Sequence, residues 1–215
     1  MIPFRTEPAV AAALPAVVTH LARRGLVAYP TETVYGFGSI VASPAVDRLC
    51  VLKGREPGKP FLVLVSDRRM LAGIGLRLTD AAERFAAAFW PGPLTLVLPG
   101  GEGLLPDTLR GPEGGVAVRW TSHPGAARII ATLGSPITST SANRPGRPSL
   151  MDAPDIERDF APAVADGTLL VLDAGRLPTS PPSTLIDCTG PAPRVLREGA
   201  LPRARLAAIV PGLEA

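Results

Sequence analysis

The chain has 215 residues, 46% hydrophobic and 19% charged, which is enough apolar material for a sizeable core and too much for a disordered chain. Its formal net charge of +3 and sequence pI near 9.3 favour anionic ligands such as nucleotides or RNA without demanding them. No apolar run approaches the roughly 20 residues of a membrane span. The first residues lack the pattern of a secretory leader, and Cys50 and Cys188 alone make no disulfide framework. A reduced, cytoplasmic protein is expected.

From about Pro8 to Arg24, apolar residues at Leu14, Val17, Val18 and Leu21 carry helical spacing, closed by Arg23, Arg24 and Gly25. Pro15 lies inside this stretch, so the helix either kinks or begins there. Leu26 to Tyr29 reads as a buried strand ending at Pro30. Ser43 as N-cap and Pro44 at the first helical position predict a helix to about Leu52, with Lys53 at its C-terminal end. Phe61 to Val65 is an apolar strand, and Thr79 caps a helix over Asp80 to Phe89 that stops at Trp90-Pro91-Gly92-Pro93. Leu94 to Leu98 and Val116 to Val118 are strands, Gly125 to Leu133 a helix. A strand from Ile137 runs into Ser139-Thr140-Ser141-Ala142-Asn143. Leu169 to Leu172, Thr184 to Asp187 and Arg194 to Leu196 complete the strands. Proline- and glycine-rich stretches at 99–115, 144–154 and 174–182 read as loops. Alternation early and strands late predict an α/β or mixed-sheet domain.

Only two of the 22 basic residues are lysines, Lys53 and Lys59, and they flank one octapeptide, Lys53-Gly54-Arg55-Glu56-Pro57-Gly58-Lys59-Pro60. An ammonium is a compact point charge and a guanidinium a planar fork, so a phosphate site can require one rather than the other. The octapeptide is not a Walker loop. Proline follows Lys59 where Ser or Thr should stand, and a helix precedes the loop where a strand should. Lys53, Arg55 and Lys59 would repel one another unless an anion lies among them; a solvated basic loop is the alternative.

Three further clusters could bind ligands. Pro30-Thr31-Glu32-Thr33-Val34-Tyr35-Gly36-Phe37-Gly38 follows a buried strand, where ligands of open α/β sheets collect; it also reads as a plain turn. Ser139 to Asn143 would make poor core and could ring a carboxylate, ribose or phosphate. Arg119 ends a strand where it could clamp a carboxylate, and Ser183 and Arg197 repeat the theme beside later strands. His20 and His123 have no partners at metal-ligand spacing, and neither a nucleophile elbow nor a Cys-His pair is present. His20 reads as a surface or structural histidine, and Trp90 as helix-end packing. Chemistry would then rest on cations, hydroxyls and a bound metal ion.

Taken in order, PTETVYGFG, KGREPGKP, PGPLT, VAVR, SAN, PST and LREG resemble the YrdC-like family of threonylcarbamoyl-adenylate synthases, over about residues 25–199. The resemblance implies one domain over 1–215, built on a twisted mixed parallel and antiparallel α/β sheet flanked by helices, with a deep positively charged cleft. It implies that L-threonine, bicarbonate or CO2, and ATP give threonylcarbamoyl-AMP and pyrophosphate, with Mg2+ accompanying ATP. The product would feed threonylcarbamoyladenosine modification of tRNA through separate transfer machinery. By motif position, Lys53 and Arg55 would be catalytic. Arg55, Lys59, Ser141, Asn143, Ser149 and Arg197 would bind ATP, and Thr33, Arg119, Ser139 and Ser183 would bind threonine. No metal ligand from protein side chains is implied. Lys53 and Arg55 are expected to face solvent, so that replacing either would spare the fold.

The chain departs from the family pattern in places. Leu64 stands where many members carry a histidine, Thr121 replaces a proline in R-x-P-x-H, and Pro145-Gly146 replaces S-G after SAN. About 16 residues follow Gly199, so the C-terminal domain of longer relatives is not expected here. Two other functions fit the same residues: a carbamoyl-adenylate-forming carbamoyltransferase domain, and a module binding double-stranded RNA or tRNA.

Overall fold

The structure, a computed structural model, describes residues 1–55 and 59–213. The Glu56-Pro57-Gly58 portion of the basic octapeptide lies outside the described residues. Its strands are β1 (Ile2–Pro3), β2 (Leu26–Pro30), β3 (Tyr35–Gly38), β4 (Leu62–Val65), β5 (Leu94–Leu98), β6 (Val116–Trp120), β7 (Ile137–Ser141), β8 (Leu169–Asp173), β9 (Thr184–Asp187) and β10 (Arg194–Arg197). The helices are α1 (Glu7–Ala22), α2 (Ser43–Lys53), α3 (Arg69–Gly73), α4 (Asp80–Phe89), α5 (Pro124–Leu133), α6 (Ala153–Asp159), α7 (Ala161–Ala165) and α8 (Arg203–Ala207).

All ten strands join one sheet in the order β1-β8-β2-β3-β7-β4-β6-β5-β9-β10. β1 and β2 both run parallel to β8, β4 runs parallel to β6, and β5 runs parallel to β9; the other pairs are antiparallel. The expected mixed sheet is present. β3 is a strand where the sequence reads as a ligand-binding cluster or a plain turn. Gly36 and Gly38 mask its strand character, yet they are what lets it sit between β2 and β7. A Cβ on Gly38 would lie 2.5 Å from the Thr138 carbonyl oxygen and 2.8 Å from the Tyr29 ring.

α1 runs through Pro15 as one helix. Thr6 caps it, its hydroxyl accepting from the Ala9 N–H at 3.4 Å. Pro15 and Ala11, whose carbonyl Pro15 cannot serve, both lie on the exposed side, while Val10, Ala13, Leu14, Val17 and Leu21 are buried. Burial of that stripe outweighs one missing helical bond. α2 begins one residue earlier than expected: the Ala42 carbonyl accepts from the Ala45 and Val46 N–H groups, with no side-chain cap. His20 is structural. Its Nε2 donates to the Leu26 carbonyl at 2.9 Å, and Gly25 gives its ring room, since a Cβ there would lie 2.2 Å from Nε2. Trp90 packs at the end of α4 and donates from Nε1 to the Leu94 carbonyl at 2.7 Å.

Strand alternation sends side chains to two faces. Val63, Val118, Leu96 and Ile186 enter the larger core with residues of α2, α4, α6 and α8. On the other face, α1 and α5 pack over Val27, Tyr29, Leu64, Ile137 and Leu172. These two helices cover only part of that face. Leu62 of β4, Ala117 and Arg119 of β6, Thr95 and Val97 of β5, and Leu185 and Asp187 of β9 instead floor a cavity of about 1030 Å3. The fold places the site by leaving half of one sheet face without a helix.

Candidate active site

The cavity floor alternates with the core. In β6, Val116 and Val118 are buried in the core, and Arg119 points the other way with its side chain nearly inaccessible. A guanidinium there cannot be left without partners. Its Nη1 donates to the Thr33 hydroxyl at 3.5 Å, and its Nε stands 3.5 Å from Glu32 Oε1 as an ion pair without hydrogen-bond geometry. Glu32 Oε2 accepts from the Thr121 hydroxyl at 2.7 Å. Thr121 thus anchors the carboxylate that faces Arg119. His123 next to it caps α5, its Nδ1 accepting from the Ala126 N–H at 3.2 Å. Burial holds the His123 pKa below its usual value, partly offset by Glu32.

The turn between β2 and β3 presents Thr33. The Thr31 hydroxyl donates to the Val34 carbonyl at 2.7 Å and accepts from the Thr33 and Val34 N–H groups at 3.2 Å, a local alternative to ladder pairing that threonine supplies readily. Across the floor, the Ser183 hydroxyl lies 2.8 Å from the Thr95 hydroxyl. Arg197 donates from Nη2 to the Ser183 carbonyl at 2.9 Å. Burial and the neighbouring Arg119 charge both lower the Arg197 pKa. Two guanidiniums thus repel across a hydroxyl-lined space, an arrangement an anionic ligand would relieve.

A second group lines the cavity nearer α2. Arg55 donates from Nη1 to the Thr140 hydroxyl at 3.1 Å and from Nη2 to the Pro60 carbonyl at 2.6 Å, and it stacks 4.4 Å above the Phe61 ring. Lys59, Ser141 and Ser149 share this part of the lining. At the far end, Asp187 and Glu113 each pair with Arg194, at 3.3 and 3.2 Å.

Most residues singled out from sequence converge on this one cavity: Thr33, Arg55, Lys59, Arg119, Ser139, Ser141, Ser149, Ser183 and Arg197 all line it. Lys53 and Asn143 are not among its lining residues. Lys53 does not face solvent as expected; it is only 6% exposed, because α2 ends beneath the turn that follows β7. Its ammonium donates to the Ser141 carbonyl at 2.6 Å, to the Asn143 carbonyl at 2.7 Å and to Asn143 Oδ1. Arg197, expected on the nucleotide side by motif position, lines the same cavity beside Ser183 and Arg119. Sequence reading missed Thr95 and Thr121 as parts of the site, and reached Glu32 only as a member of the cluster at 30–38. Thr95 had a signal, a lone hydroxyl in the apolar run Leu94–Leu98, whereas the Glu32–Thr121 pairing needs the fold. Leu64 is buried under α1 and α5 and does not line the cavity; Leu62 of the same strand does.

These features define an α/β protein with a half-covered mixed sheet and a cavity lined by arginines and hydroxyls. The sequence pattern of the Sua5/YciO/YrdC family, described as telomere recombination, matches residues 19–199, and the chain belongs to that family. A threonylcarbamoyl-AMP synthase of Pyrococcus abyssi is 38% identical over 178 residues, covering 82% of this chain and 51% of the relative. One of Nitrosococcus oceani is 41% identical over 137 residues, 63% of this chain and 74% of that protein. The structure of P. abyssi Sua5 in complex with L-threonine superposes with a TM-score of 0.87 at 32% identity, covering 99% of this chain and 61% of that one. The chain spans about half the length of the P. abyssi relative.

Proposed function

We propose that the chain is a threonylcarbamoyl-AMP synthase, an adenylyl-transferring enzyme that converts L-threonine, bicarbonate or CO2, and ATP into threonylcarbamoyl-AMP and pyrophosphate. The observation that carries this reading is the convergence of two groups in one cavity. Arg119, Thr33, Ser139 and Ser183 suit an amino acid carboxylate and hydroxyl, while Arg55, Lys59, Ser141 and Ser149 suit phosphate and ribose. Arg197 beside Arg119 would face the point where the two substrates meet. The names of the relatives and the threonine bound to P. abyssi Sua5 support it.

In this reading the threonine amine loses a proton and adds CO2, and a carbamate oxygen then attacks the α-phosphorus as pyrophosphate leaves. No covalent enzyme intermediate is needed, so the residues work by charge neutralisation and in-line placement. Among the described residues no three or more His, Cys, Asp and Glu come together as a metal site, and Asp187 and Glu113 are engaged by Arg194. Mg2+ would accompany ATP, its charge offsetting that of the phosphates. The product would pass to transfer machinery that modifies tRNA. Pyrophosphate release from ATP, bicarbonate and Mg2+ that requires L-threonine would support the assignment; equal release without threonine would overturn it.

A further inference from the structure

One wall of the cavity is hung from a single side chain. Tyr35 lies on the core face of β3 and is fully buried. Its carbonyl accepts from the Ala142 N–H at 2.8 Å, and the Ala142 carbonyl accepts from the Leu150 N–H at 2.8 Å. The neighbouring Met151 carbonyl accepts from the Leu177 N–H at 2.8 Å, and Arg176 pairs with Asp152 at 2.8 Å. The Tyr35 hydroxyl closes the circuit, accepting from the Ala174 N–H and donating to the Gly175 carbonyl, both at 2.9 Å. Residues 142–151 and 174–177 are thus fastened to one residue and to each other.

Beyond Leu177 the fastening stops. Among the described residues, 178–181 make no backbone–backbone hydrogen bond, and the chain is next held where the Pro182 carbonyl accepts from the Ala200 N–H at 2.9 Å. Pro178, Pro181 and Pro182 have no N–H to offer and restrict the backbone, so 178–182 is a stiff span supported at its two ends. It nonetheless lines the cavity with Thr179, Ser180 and Pro182. Thr179 is exposed and its hydroxyl makes no hydrogen bond among the described residues; the Ser180 hydroxyl reaches only the adjacent Pro181 carbonyl, at 3.2 Å. Two hydroxyls that the fold leaves unused thus stand at the cavity between Met151 and Ser183.

We infer that 178–182 is a strap across the substrates, that Thr179 and Ser180 are further ligand contacts, and that Tyr35 is the positioning residue that holds the strap in place. The inference rests on the synthase reading given above. The strap starts beside Met151, next to Ser149 on the side given to the nucleotide, and ends at Ser183 on the side given to threonine. In that reading it passes the place where the carbamate meets the α-phosphorus, and a hydroxyl there can donate to oxygens of either. Contact is fullest when both substrates are in place.

Amide hydrogen exchange should be followed on the wild type and Tyr35→Phe without ligand, with the α,β-methylene analogue of ATP and Mg2+, with L-threonine, and with both. The Thr179 and Ser180 amides report on the strap, since its other members are prolines. In the wild type their exchange should slow about tenfold with both ligands and less with either alone. Tyr35→Phe keeps the ring and removes two hydrogen bonds. Exchange over 174–177 should rise about fivefold or more, the scale of one lost hydrogen bond, and ligand protection of 179–180 should vanish while β4 to β6 exchange as in the wild type. A double variant, Thr179→Ala with Ser180→Ala, should keep its Tm, because neither hydroxyl supports the fold. Its turnover at limiting substrate should fall about fivefold or more. Strap amides that ignore the ligand pair, or a double variant with wild-type turnover, would overturn the inference. Exchange that rises throughout Tyr35→Phe would make Tyr35 a plain core residue and overturn its positioning role. If neither ligand gives binding heat with the wild type, the proposed function falls instead. If Tyr35→Phe does not fold, wild-type exchange and the double variant still decide the matter.

Discussion

Thr121→Val tests the wiring of the site with one atom. Valine matches threonine in shape, so the change exchanges a hydroxyl for a methyl at a position only 1% exposed. That hydroxyl donates to Glu32 Oε2 at 2.7 Å and accepts from the His123 N–H at 3.2 Å. Among the described residues Glu32 Oε1 is buried and has no hydrogen-bond partner, so the variant leaves the carboxylate there with its 3.5 Å ion pair to Arg119. A hydrogen bond to a charged group contributes about 1.5–3 kcal/mol, and the orphaned His123 N–H adds to the loss. We expect about 2–3 kcal/mol of destabilisation, or roughly 4–12 °C in Tm for a chain of this size. Urea unfolding should show a lower midpoint at unchanged slope, and the KM for threonine should rise as Glu32 loosens against Arg119. Thr121→Ser, which keeps the donor, should behave nearly as wild type. A Thr121→Val loss below about 0.5 kcal/mol, or a Thr121→Ser loss equal to it, would refute the claim that this hydroxyl anchors the carboxylate.

Arg119→Lys keeps the charge but loses the planar fork; the KM for threonine should rise about 10- to 100-fold while the KM for ATP hardly moves, as pyrophosphate-release kinetics with each substrate varied would show. In Gly199→Ala the new Cβ would lie 2.1 Å from the Pro182 carbonyl oxygen and 2.8 Å from the Ser183 carbonyl carbon. Backbone cannot yield as a side-chain tip does, so Ser183 must shift off Thr95 and Arg197; turnover should fall more than about tenfold, with about 1–3 kcal/mol lost in denaturant melts. The Lys53 pKa falls from an ordinary 10.5 to about 8 on folding, so between those values the unfolded chain binds more protons. This group's cost to stability is full below pH 8 and is relieved as pH rises toward 10.5, and the wild type should gain stability relative to Lys53→Met between pH 7.5 and 9.5. A difference between the two proteins that does not change with pH would contradict the depressed pKa.

Much of the architecture is legible in the sequence because long apolar runs and strong punctuation mark it. Thr79 before α4 does cap it, accepting from the Ala82 N–H at 3.3 Å. β3 was illegible because its two glycines look like loop residues until the chains on either side show why no Cβ fits. α3, α6, α7 and α8 are five to seven residues long, too short for a periodicity to declare itself. At the site, the hydroxyl and arginine clusters were visible as chemistry out of place in apolar strands. What sequence could not supply was pairing between distant segments. Lys53 looks like a surface cation until β7 is seen lying over the end of α2, and Glu32 has no evident partner until Thr121 arrives from 89 residues away.

The incomplete helical cover over the sheet has a consequence for how the molecule is held together. Where α1 and α5 stop, nothing from the described chain supplies the layer that would normally finish an α/β sandwich, and the floor is left with Arg119, Arg197 and Thr95 where a helix would have met valines and leucines. A ligand seated there is therefore a piece of the architecture as well as cargo. Its anionic groups would take the place of the absent cover on this face, adding to the core that strands such as β4, β5, β6 and β9 already share on the other. Occupancy and cohesion then rise together: at a ligand concentration about a hundred times its Kd, the native state would gain about 2.7 kcal/mol.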